Sequence, residues 1–301
     1  MTAALVEHLG GAAEPSDTST RRASYEPKRK HALSRMPRWC RVAMTGWSFF
    51  MFGAATLMIG GLALPFMLLF RERFGDRREA TYRLNALMRT FAGFLRDTGL
   101  ISYWSPVLPA GYEGRGALVI ANHPSLIDVV LILSSIPGLS CVAKARWAES
   151  WLMGPLIGRT EYVPGPGMST DVGLEGEVAV VDRIEAKLRS GVPMVVFPEG
   201  TRSGVANLRK FGRGAVEAAI RAGVPILPLF IGLDERFLMK KQAFYDVPPQ
   251  TPCYHFEWFE PIETEGKNLD SKRLTKELAA RYEARLERFI RDNPTRVAEL
   301  P

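Results

Sequence analysis

The sequence predicts an α/β domain with a mostly parallel sheet flanked by helices, and three observations support this fold class. Short apolar runs that fit buried strands alternate with amphipathic stretches that fit helices through the middle and end of the chain. Glycine and proline separate many of these runs, as expected where strands and helices end. Alternating elements of this length are typical of right-handed crossovers between parallel strands.

The composition is that of a globular protein with one locally basic segment. Of its 301 residues, 47% are hydrophobic and 24% are charged, which are ordinary proportions. The net charge is +7, and residues 21–41 alone carry eight Lys or Arg against one Glu. Because this basic segment precedes a very apolar one, we expect membrane lipids rather than nucleic acid as its partner.

Cysteine and histidine usage argues against disulfides and against a metal site. The three cysteines are widely spaced and lack a CxxC pair, so we expect free thiols and a reducing compartment. The four histidines show no metal-ligand spacing, so we expect no structural or catalytic zinc.

The chain divides into three predicted regions. Residues 1–34 are rich in small and polar side chains without an apolar period, which predicts a disordered basic N-terminus and no secretory signal. Residues 35–104 are predicted to form a membrane-docking helical segment. Residues 105–301 form the predicted α/β domain.

Residues 42–70 contain no charged side chain. As one helix they would measure about 43 Å, which exceeds a hydrocarbon core of about 30 Å. They therefore fit either one tilted span or a helical pair that bends at Gly60-Gly61 or Pro65 and returns to its starting side. Basic residues on both flanks favour the return, since positive flanks stay cytoplasmic; a buried soluble helix is the remaining alternative.

An amphipathic helix is predicted within 80–104, packed on its own domain or lying on a membrane surface. The strand and helix alternation follows it. The predicted elements are strand 117–121, helix 125–135, strand 139–144, helix 145–156, strand 161–163, helix 174–190, strand 193–197, helix 214–222, strand 226–232, strand 254–259 and helix 271–291.

The first candidate motif follows the apolar strand 117–121 directly and reads Asn122-His-Pro-Ser-Leu-Ile-Asp128. Pro124 fits the first position of a helix, which places His123 at the strand-to-helix junction and Asp128 just past the first turn. A carboxylate on one ring nitrogen would fix the tautomer and leave the other nitrogen free as a base. A buried histidine that merely caps a helix is the alternative.

The second candidate motif, Phe197-Pro-Glu-Gly-Thr-Arg-Ser203, follows another apolar strand. Ligands of open parallel sheets gather beyond the carboxyl ends of the strands, so His123 and Glu199 are expected at the same edge. Gly200 would let the backbone approach a ligand, and the planar guanidinium of Arg202 matches a phosphate or carboxylate. Glu199 has an alternative role, which is to organise the loop by accepting backbone N–H groups.

In combination, the two motifs resemble the His-x4-Asp and Glu-Gly-Thr-Arg blocks of the glycerolipid acyltransferases of the lysophosphatidic acid type. Residues 223–228 resemble the last block of that family, and Lys144 stands where the family often carries a lysine. The apolar N-terminal segment with its amphipathic helix resembles the membrane-docking motif of the family. The resemblance covers residues 115–235.

This resemblance implies an O-acyltransferase of phospholipid biosynthesis at the cytoplasmic face of the inner (plasma) membrane. It would move an acyl group from acyl-CoA or acyl carrier protein to a hydroxyl of a lysophospholipid such as lysophosphatidic acid, without a cofactor. The implied catalytic residues are His123 and Asp128. The implied substrate-binding residues are Glu199, Gly200, Thr201, Arg202, Lys144, Arg159 and Pro225.

One departure from the family pattern concerns the acceptor. Members of the family usually end their middle strand on an arginine that helps to bind the phosphate, whereas this chain has Pro164-Gly165 there. Either Arg159 substitutes, or the acceptor is an aminolipid, glycolipid or specialised lipid. A non-catalytic lipid-binding protein is a further alternative, whereas α/β-hydrolase chemistry lacks its G-x-S-x-G elbow. Pro225 either lines the acyl chain or simply starts a strand.

Overall fold

A seven-stranded sheet forms the centre of the computed structural model, which describes residues 36–58, 76–151, 153–166, 174–204 and 206–293. Its strands are β1 (Ser102–Tyr103), β2 (Leu118–Ala121), β3 (Ser140–Ala143), β4 (Val163–Pro164), β5 (Met194–Val196), β6 (Ile226–Leu233) and β7 (Cys253–Trp258). Their order in the sheet is β1-β7-β6-β2-β5-β3-β4. Strands β2 to β6 pair in parallel and β7 runs antiparallel to β6, which confirms the expected mostly parallel sheet.

Helices cover both faces of this sheet, as the alternating sequence pattern predicts. They are α1 (Arg38–Leu57), α2 (Arg77–Asp97), α3 (Asp128–Ser135), α4 (Ala145–Ala148), α5 (Gly154–Arg159), α6 (Leu174–Arg189), α7 (Gly214–Ala222) and α8 (Ser271–Asp292). Side chains of α2 and α3 contribute to one apolar cluster, and side chains of α6, α7 and α8 contribute to the other.

Strand β2 shows why the central strands are continuous apolar runs. Val119 and Ala121 point into the cluster of α2 and α3, whereas Leu118 and Ile120 point into the cluster of α6, α7 and α8. All four side chains are fully buried. Because both faces of a central parallel strand are covered, neither face needs polar residues.

The helix after β2 begins three residues later than the sequence predicts. It starts at Asp128, and the amide N–H of Ser125 donates to Asp128 Oδ2 at 2.7 Å in the turn before it. The expectation that Pro124 is the first helical residue is therefore wrong. The side chain of Asp128 organises this turn, because a short carboxylate near a helix start competes for free amide donors.

Two further boundaries differ from the predicted ones. The predicted helix 145–156 is broken into α4 and α5, where Pro155 lies in the first turn of α5 and supplies no amide donor to a continuing helix. The predicted helix within 80–104 ends at Asp97, and the short edge strand β1 follows it. Two-residue strands carry too little periodicity to be recognised from sequence.

Helix α2 is fixed to the sheet by one buried amide side chain. Asn85 Nδ2 donates to the carbonyl of Leu139 at 3.2 Å, and Asn85 Oδ1 accepts from the N–H of Gly138 at 3.0 Å. Arg89 Nε adds a hydrogen bond of 3.0 Å to the carbonyl of Ser134. The amphipathic helix thus packs on its own domain, which is one of the two expected arrangements.

Helix α1 lies against the segment between β6 and β7 and leaves much of its apolar surface exposed. Phe49 contacts Phe244 edge to face, and Arg41 Nη1 donates to the carbonyl of Pro249 at 3.0 Å. The exposed fractions of Trp39 and Phe50 are 71% and 62%. Among the helices that the structure describes, none combines the length and apolar character needed to cross a bilayer.

Several N-terminal predictions concern residues that the structure does not describe. The disordered N-terminus at 1–34 lies outside the described residues. The same holds for 59–75, which include the bend expected at Gly60-Gly61 or Pro65. The choice between one tilted span and a returning helical pair therefore stays a prediction.

Candidate functional site

The carboxyl ends of β2, β5 and β3 lie side by side, because these three strands are neighbours in the sheet. His123 follows β2, Glu199 follows β5 and Lys144 follows β3. The chain connections run in opposite directions across the sheet. From β2 the chain passes over β5 to β3, and from β5 it passes back over β2 to β6. Such a reversal of strand order opens a crevice at the carboxyl edge of an α/β sheet.

The imidazole of His123 is held by a carboxylate on one side and an aromatic ring on another. A distance of 3.0 Å separates His123 Nδ1 from Asp128 Oδ2. The ring of Phe197 stacks on the imidazole with the two centroids 4.2 Å apart. The His123 side chain is 16% exposed, whereas that of Asp128 is completely buried. With the proton on Nδ1 facing the carboxylate, Nε2 is the basic nitrogen of this histidine.

Asp128 is a buried carboxyl whose position is fixed by its neighbours. Burial raises its pKa, while hydrogen bonds from His123 and the Ser125 amide and the charge of Arg202 act in the opposite direction. Ser125 Oγ donates to the carbonyl of Phe237 at 2.8 Å and accepts from the hydroxyl of Tyr254 at 2.9 Å. These contacts hold the turn that precedes Asp128, and the carboxylate of Asp128 orients the imidazole.

Glu199 connects the two motifs through the backbone. Its Oε1 accepts from the amide N–H of His123 at 2.9 Å, and its Oε2 accepts from the amide N–H of Arg209 at 2.8 Å. A second bond joins the motifs, since the Ser203 amide donates to the carbonyl of His123 at 2.8 Å. Burial raises the pKa of Glu199, and the two backbone donors act to lower it. These contacts fit the loop-organising role for Glu199.

Arg202 attaches a third segment to the site. Its Nη1 donates to the carbonyls of Leu238 and Met239 at 2.8 Å and 3.1 Å. The carbonyl of Leu238 also accepts from the amide N–H of Leu126 at 3.0 Å. Burial lowers the pKa of Arg202, and the charge of Asp128 raises it. The loop of residues 236–243 therefore lies beside both motifs, although no motif in its sequence predicts this position.

Gly200 and Thr201 occupy the turn between Glu199 and Arg202. Gly200 has φ of +66°, which favours glycine, and the space where a Cβ would lie contains no atom within 4 Å. Its N–H donates to the carbonyl of Phe197 at 3.0 Å. The positive φ alone explains why a glycine occupies this position, so no close approach of a ligand is needed to account for it. Thr201 is partly buried in the same turn.

Lys144 is exposed at the same edge and lies among other cations. Partial burial lowers its pKa, and the charges of Arg146, Arg202 and Lys240 act in the same direction. The structure thus brings His123, Asp128, Lys144 and the Glu-Gly-Thr-Arg turn together, as the two-motif hypothesis expects.

Arg159 and Pro225 lie at the opposite end of the sheet. The carbonyl of Pro225 accepts from the amide N–H of Leu118 at the amino end of β2, and Arg159 ends α5 before the amino end of β4. The four residues of β2 alone separate this end from His123 by about 13 Å. The role of Arg159 as a substitute for the phosphate-binding arginine stays a prediction, and the position of Pro225 fits its alternative role as a strand start.

Three buried or partly buried side chains near β7 place possible metal ligands close together. The ligand atoms of Asp234, Cys253 and His255 lie within 4.8 Å of one another. Asp234 Oδ1 also accepts from the amide N–H of Cys253 at 2.7 Å, which fixes the start of β7. The spacing of the histidines alone does not reveal this group, since an aspartate and a cysteine complete it.

A family model and two curated relatives show which sequence family the chain is similar to, and one solved structure shows a similar fold. The model of the Acyltransferase family matches residues 107–232. The chain is 31% identical over 162 residues to 1-acyl-sn-glycerol-3-phosphate acyltransferase alpha from Homo sapiens. It is 28% identical over 176 residues to 1-acyl-sn-glycerol-3-phosphate acyltransferase from Cocos nucifera.

The matched part is limited in these two relatives. The human match covers 51% of this chain and 52% of the relative, and the Cocos match covers 56% and 54%. The chain thus spans about half the length of the curated relatives that it matches. The fold is similar to the crystal structure of the 1-acyl-sn-glycerophosphate acyltransferase PlsC from Thermotoga maritima. The TM-score is 0.58 at 21% identity, with 84% of this chain and 97% of that chain covered.

Proposed function

Because residues 107–232 match the model of the Acyltransferase family, we propose that the protein transfers an acyl group from a thioester to a hydroxyl of lysophosphatidic acid. The observation that carries this proposal is the contact of 3.0 Å between His123 Nδ1 and Asp128 Oδ2, directly beside the Glu199 turn. A carboxylate-oriented imidazole at the open edge of a parallel sheet is suited to general base catalysis.

In the proposed reaction, His123 Nε2 removes the proton of the acceptor hydroxyl while the oxygen attacks the thioester carbonyl carbon. The tetrahedral intermediate collapses, the C–S bond breaks and the imidazolium returns the proton to the leaving thiolate. The products are an ester and a free thiol, so atoms and charge balance. Asp128 stabilises the imidazolium and keeps Nδ1 protonated throughout.

Direct transfer within a ternary complex is the simplest route for this site. The two candidate motifs contain no cysteine and no G-x-S-x-G elbow. Ser125 Oγ is already hydrogen-bonded to the carbonyl of Phe237 and to the hydroxyl of Tyr254. An acyl-enzyme would need a nucleophile within hydrogen-bond reach of the base. We therefore infer that the acceptor hydroxyl attacks the donor itself, which is acyl-CoA or acyl carrier protein, without a cofactor.

Lys144 and Arg202 are the proposed partners of the acceptor phosphate. Arg202 follows β5, the neighbour of β2 in the sheet, and Lys144 follows β3, the next strand beyond β5. The charge of Arg202 acts on Lys144. Arg202 keeps part of its guanidinium beside the 236–243 loop, which sets the direction of the side chain. A planar guanidinium and an ammonium group at one site are a common pair for a phosphate.

We propose that α1 contacts the membrane from the cytoplasmic face of the inner membrane. Its exposed aromatic side chains include Trp47 with 51% and Phe50 with 62% exposure. Exposed apolar patches often mark a site of contact with a membrane or a protein. The exposed Phe244 and Tyr245 continue this surface on the neighbouring loop. Such a surface would admit lipid substrates without a spanning helix.

The decisive experiment incubates membranes containing the full chain with labelled acyl-CoA or acyl carrier protein thioesters and a panel of lyso-lipids. Mass spectrometry identifies which acceptor gains the acyl chain. Formation of phosphatidic acid from lysophosphatidic acid, lost in His123→Ala, supports the proposal.

Two other outcomes would replace the proposal. Acylation of an acceptor without a phosphate would favour the alternative suggested by Pro164-Gly165, where the Gly165 N–H donates to the carbonyl of Ala143 at 2.7 Å and no cation is supplied. Absence of any acylated product, with retained lipid binding, would identify a non-catalytic lipid-binding protein.

A further inference from the structure

Three side chains with different metal-binding groups meet on one face of the sheet where β6 and β7 pair. Cys253 and His255 are two residues apart on β7, so their side chains point to the same face. Asp234 follows β6, and its N–H donates to the carbonyl of Cys253 at 3.4 Å, which extends the antiparallel register by one residue. Because opposite residues of an antiparallel pair share a face, the register itself brings a carboxylate, a thiol and an imidazole together.

The face that carries this group is the one covered by α8. Tyr254 lies between Cys253 and His255 on β7 and contributes to the apolar cluster of the opposite face. The imidazole of His255 contacts the ring of Phe289 in α8 edge to face, with the centroids 5.3 Å apart. The ring of Trp104 lies on the β1 side, with its centroid 5.8 Å from that of the imidazole. Two aromatic rings therefore surround the group and limit its contact with water.

The three ligand atoms are close to the spacing that a metal ion requires. They lie within 4.8 Å of one another, and Asp234 Oδ1 is fixed by the amide N–H of Cys253 at 2.7 Å. A tetrahedral zinc ion with bonds of about 2.0–2.3 Å holds its ligand atoms about 3.3–3.8 Å apart. The group must therefore close by about 1–1.5 Å, which rotation of the side chains can supply while the strands stay in place.

Burial of the group suits a small cation and does not suit a bulky acyl thioester. The exposed fractions of Asp234 and Cys253 are both 1%, so an acyl donor does not reach the thiol. Cys253 is a free cysteine, and His255 is partly exposed at the entrance of the group. Buried carboxylates and thiolates are costly unless they are paired or coordinate a metal, and a bound divalent cation offsets that cost.

We propose that Asp234, Cys253 and His255 form a zinc site that fastens the antiparallel edge of the sheet. The inference goes beyond the proposed acyl transfer and does not depend on it. Thiolate and imidazole ligands favour zinc, whereas calcium and magnesium take mainly oxygen ligands. Three protein ligands leave one position for a water molecule. Binding displaces the thiol proton, so the affinity for zinc rises with pH.

The site is structural, but its strand also supports the catalytic turn. The hydroxyl of Tyr254 donates to Ser125 Oγ at 2.9 Å, and the Ser125 amide donates to Asp128. Zinc held by the two residues on either side of Tyr254 fixes the strand that carries this hydroxyl. The ion touches no reacting atom, so its effect is on the stability of β6 and β7.

A spectroscopic test uses the full chain after treatment with a chelator, titrated with Zn²⁺ and with Co²⁺ as a coloured substitute. We expect one equivalent of either ion to bind, and the Co²⁺ form to show a thiolate charge-transfer band. Cys253→Ala should abolish that band, and His255→Gln should weaken binding of either ion more than tenfold. Cys141→Ala is the matched control, because it removes another buried strand cysteine and should change the affinity less than about twofold.

A stability test measures the consequence for the fold. Zinc at about 100 times its dissociation constant should raise the unfolding temperature of the wild type and of Cys141→Ala by about 5 °C. The same addition should leave His255→Gln unchanged. Amide hydrogen exchange should slow in 226–234 and 253–258 when zinc is added to the wild type.

Three outcomes would overturn the assignment. These are a folded wild type that binds no zinc, a Co²⁺ form without a thiolate band, and equal binding by wild type, Cys253→Ala and His255→Gln, which would place the ion elsewhere on the chain. If Cys253→Ala does not fold, the band of the wild type and the affinity of His255→Gln decide. Each result is obtained without an acyl donor, so failure of the proposed reaction leaves this test intact.

Discussion

The two ends of the central strands are built differently. At the carboxyl ends, the buried carboxylates of Asp128 and Glu199 accept backbone N–H groups of the loops that follow β2 and β5. At the amino ends, backbone packs directly on backbone, since a Cβ on Gly116 would lie 2.5 Å from the carbonyl oxygen of Leu188. One end thus places ionisable groups in loops, whereas the other end is closed by tight packing.

This difference predicts which substitutions should alter turnover and which should alter stability. Burial raises the pKa of both carboxyl groups at the carboxyl end, so their charged forms are held there at a cost to the folded state. Residues retained at such a cost are candidates for chemistry. Substitutions at the carboxyl end should therefore impair the reaction, and substitutions at the amino end should impair folding.

The largest expected effect is that of His123→Ala. Loss of the general base should lower kcat/KM by about 10²–10⁴-fold, because proton removal from the acceptor hydroxyl is then uncatalysed. Lys267→Ala, in the exposed loop before α8, serves as the control and should leave the rate within about twofold. A wild-type rate in purified His123→Ala, measured with labelled acyl thioester, would remove the base from the mechanism.

Asp128→Asn should lower kcat by about 10²–10³-fold while the fold persists, because the amide no longer stabilises the imidazolium or selects the Nδ1-protonated tautomer. The KM for the acceptor should change little, since Asp128 is fully buried and does not contact substrate. Steady-state kinetics separate the two parameters. A change confined to KM would show that Asp128 shapes the binding site instead.

Glu199→Gln should have a smaller effect, about 10- to 100-fold in kcat/KM. Glutamine offers one acceptor where the carboxylate accepts from two amides, so one of the bonds to His123 and Arg209 is lost. The expected readout is a lower rate together with faster amide hydrogen exchange in 199–209. Unchanged exchange with a lower rate would point to direct substrate contact by Glu199.

Gly116→Ala should act on stability and not on turnover. Overpacking against the carbonyl of Leu188 should cost about 1–3 kcal/mol in the free energy of unfolding. Gly93→Ala in α2 is the control, because its methyl group would meet no atom within 4 Å. Urea unfolding gives the stability, and the rate per folded molecule should match the wild type. A tenfold loss of rate in folded Gly116→Ala would contradict the proposed division between the two ends.

The smallest expected effect concerns the pH dependence of stability. Because burial raises the pKa of Asp128 above its unfolded value near 3.8, its contribution is fully present below that value and is lost as pH rises through the folded pKa. The wild type should therefore lose stability relative to Asp128→Asn as pH rises from about 4 toward neutrality. Urea midpoints of both proteins at several pH values measure this difference, and an opposite slope would show that the His123 contact outweighs burial.

Much of the fold was predictable because its signals are local. Continuous apolar runs marked β2, β5 and β6, and helix α7 has the predicted bounds Gly214–Ala222. The start of α3 was not predictable in the same way. Pro124 and Asp128 both favour helix starts, and the carboxylate of Asp128 decides between them by bonding the Ser125 amide.

The site was predictable in its two motifs but not in its surroundings. Neighbouring parallel strands bring their carboxyl ends together, so His123 and Glu199 could be expected to meet. The 236–243 loop contacts Arg202 through backbone carbonyls, which leave no signature in the sequence. Spacing along the chain also does not show that Arg159 precedes β4 on the side of the sheet where Pro225 meets β2.

The sequence by itself determined the alternation of strands and helices and the pairing of an imidazole with a nearby carboxylate, because these depend on local periodicity and short spacing. The tertiary structure alone decided which segments meet beside His123. Lys144, Arg202 and Lys240 come from segments far apart in the chain, and strand order with backbone hydrogen bonds brings them together. Attraction and repulsion between charges depend on distance in space, which the order of residues does not specify.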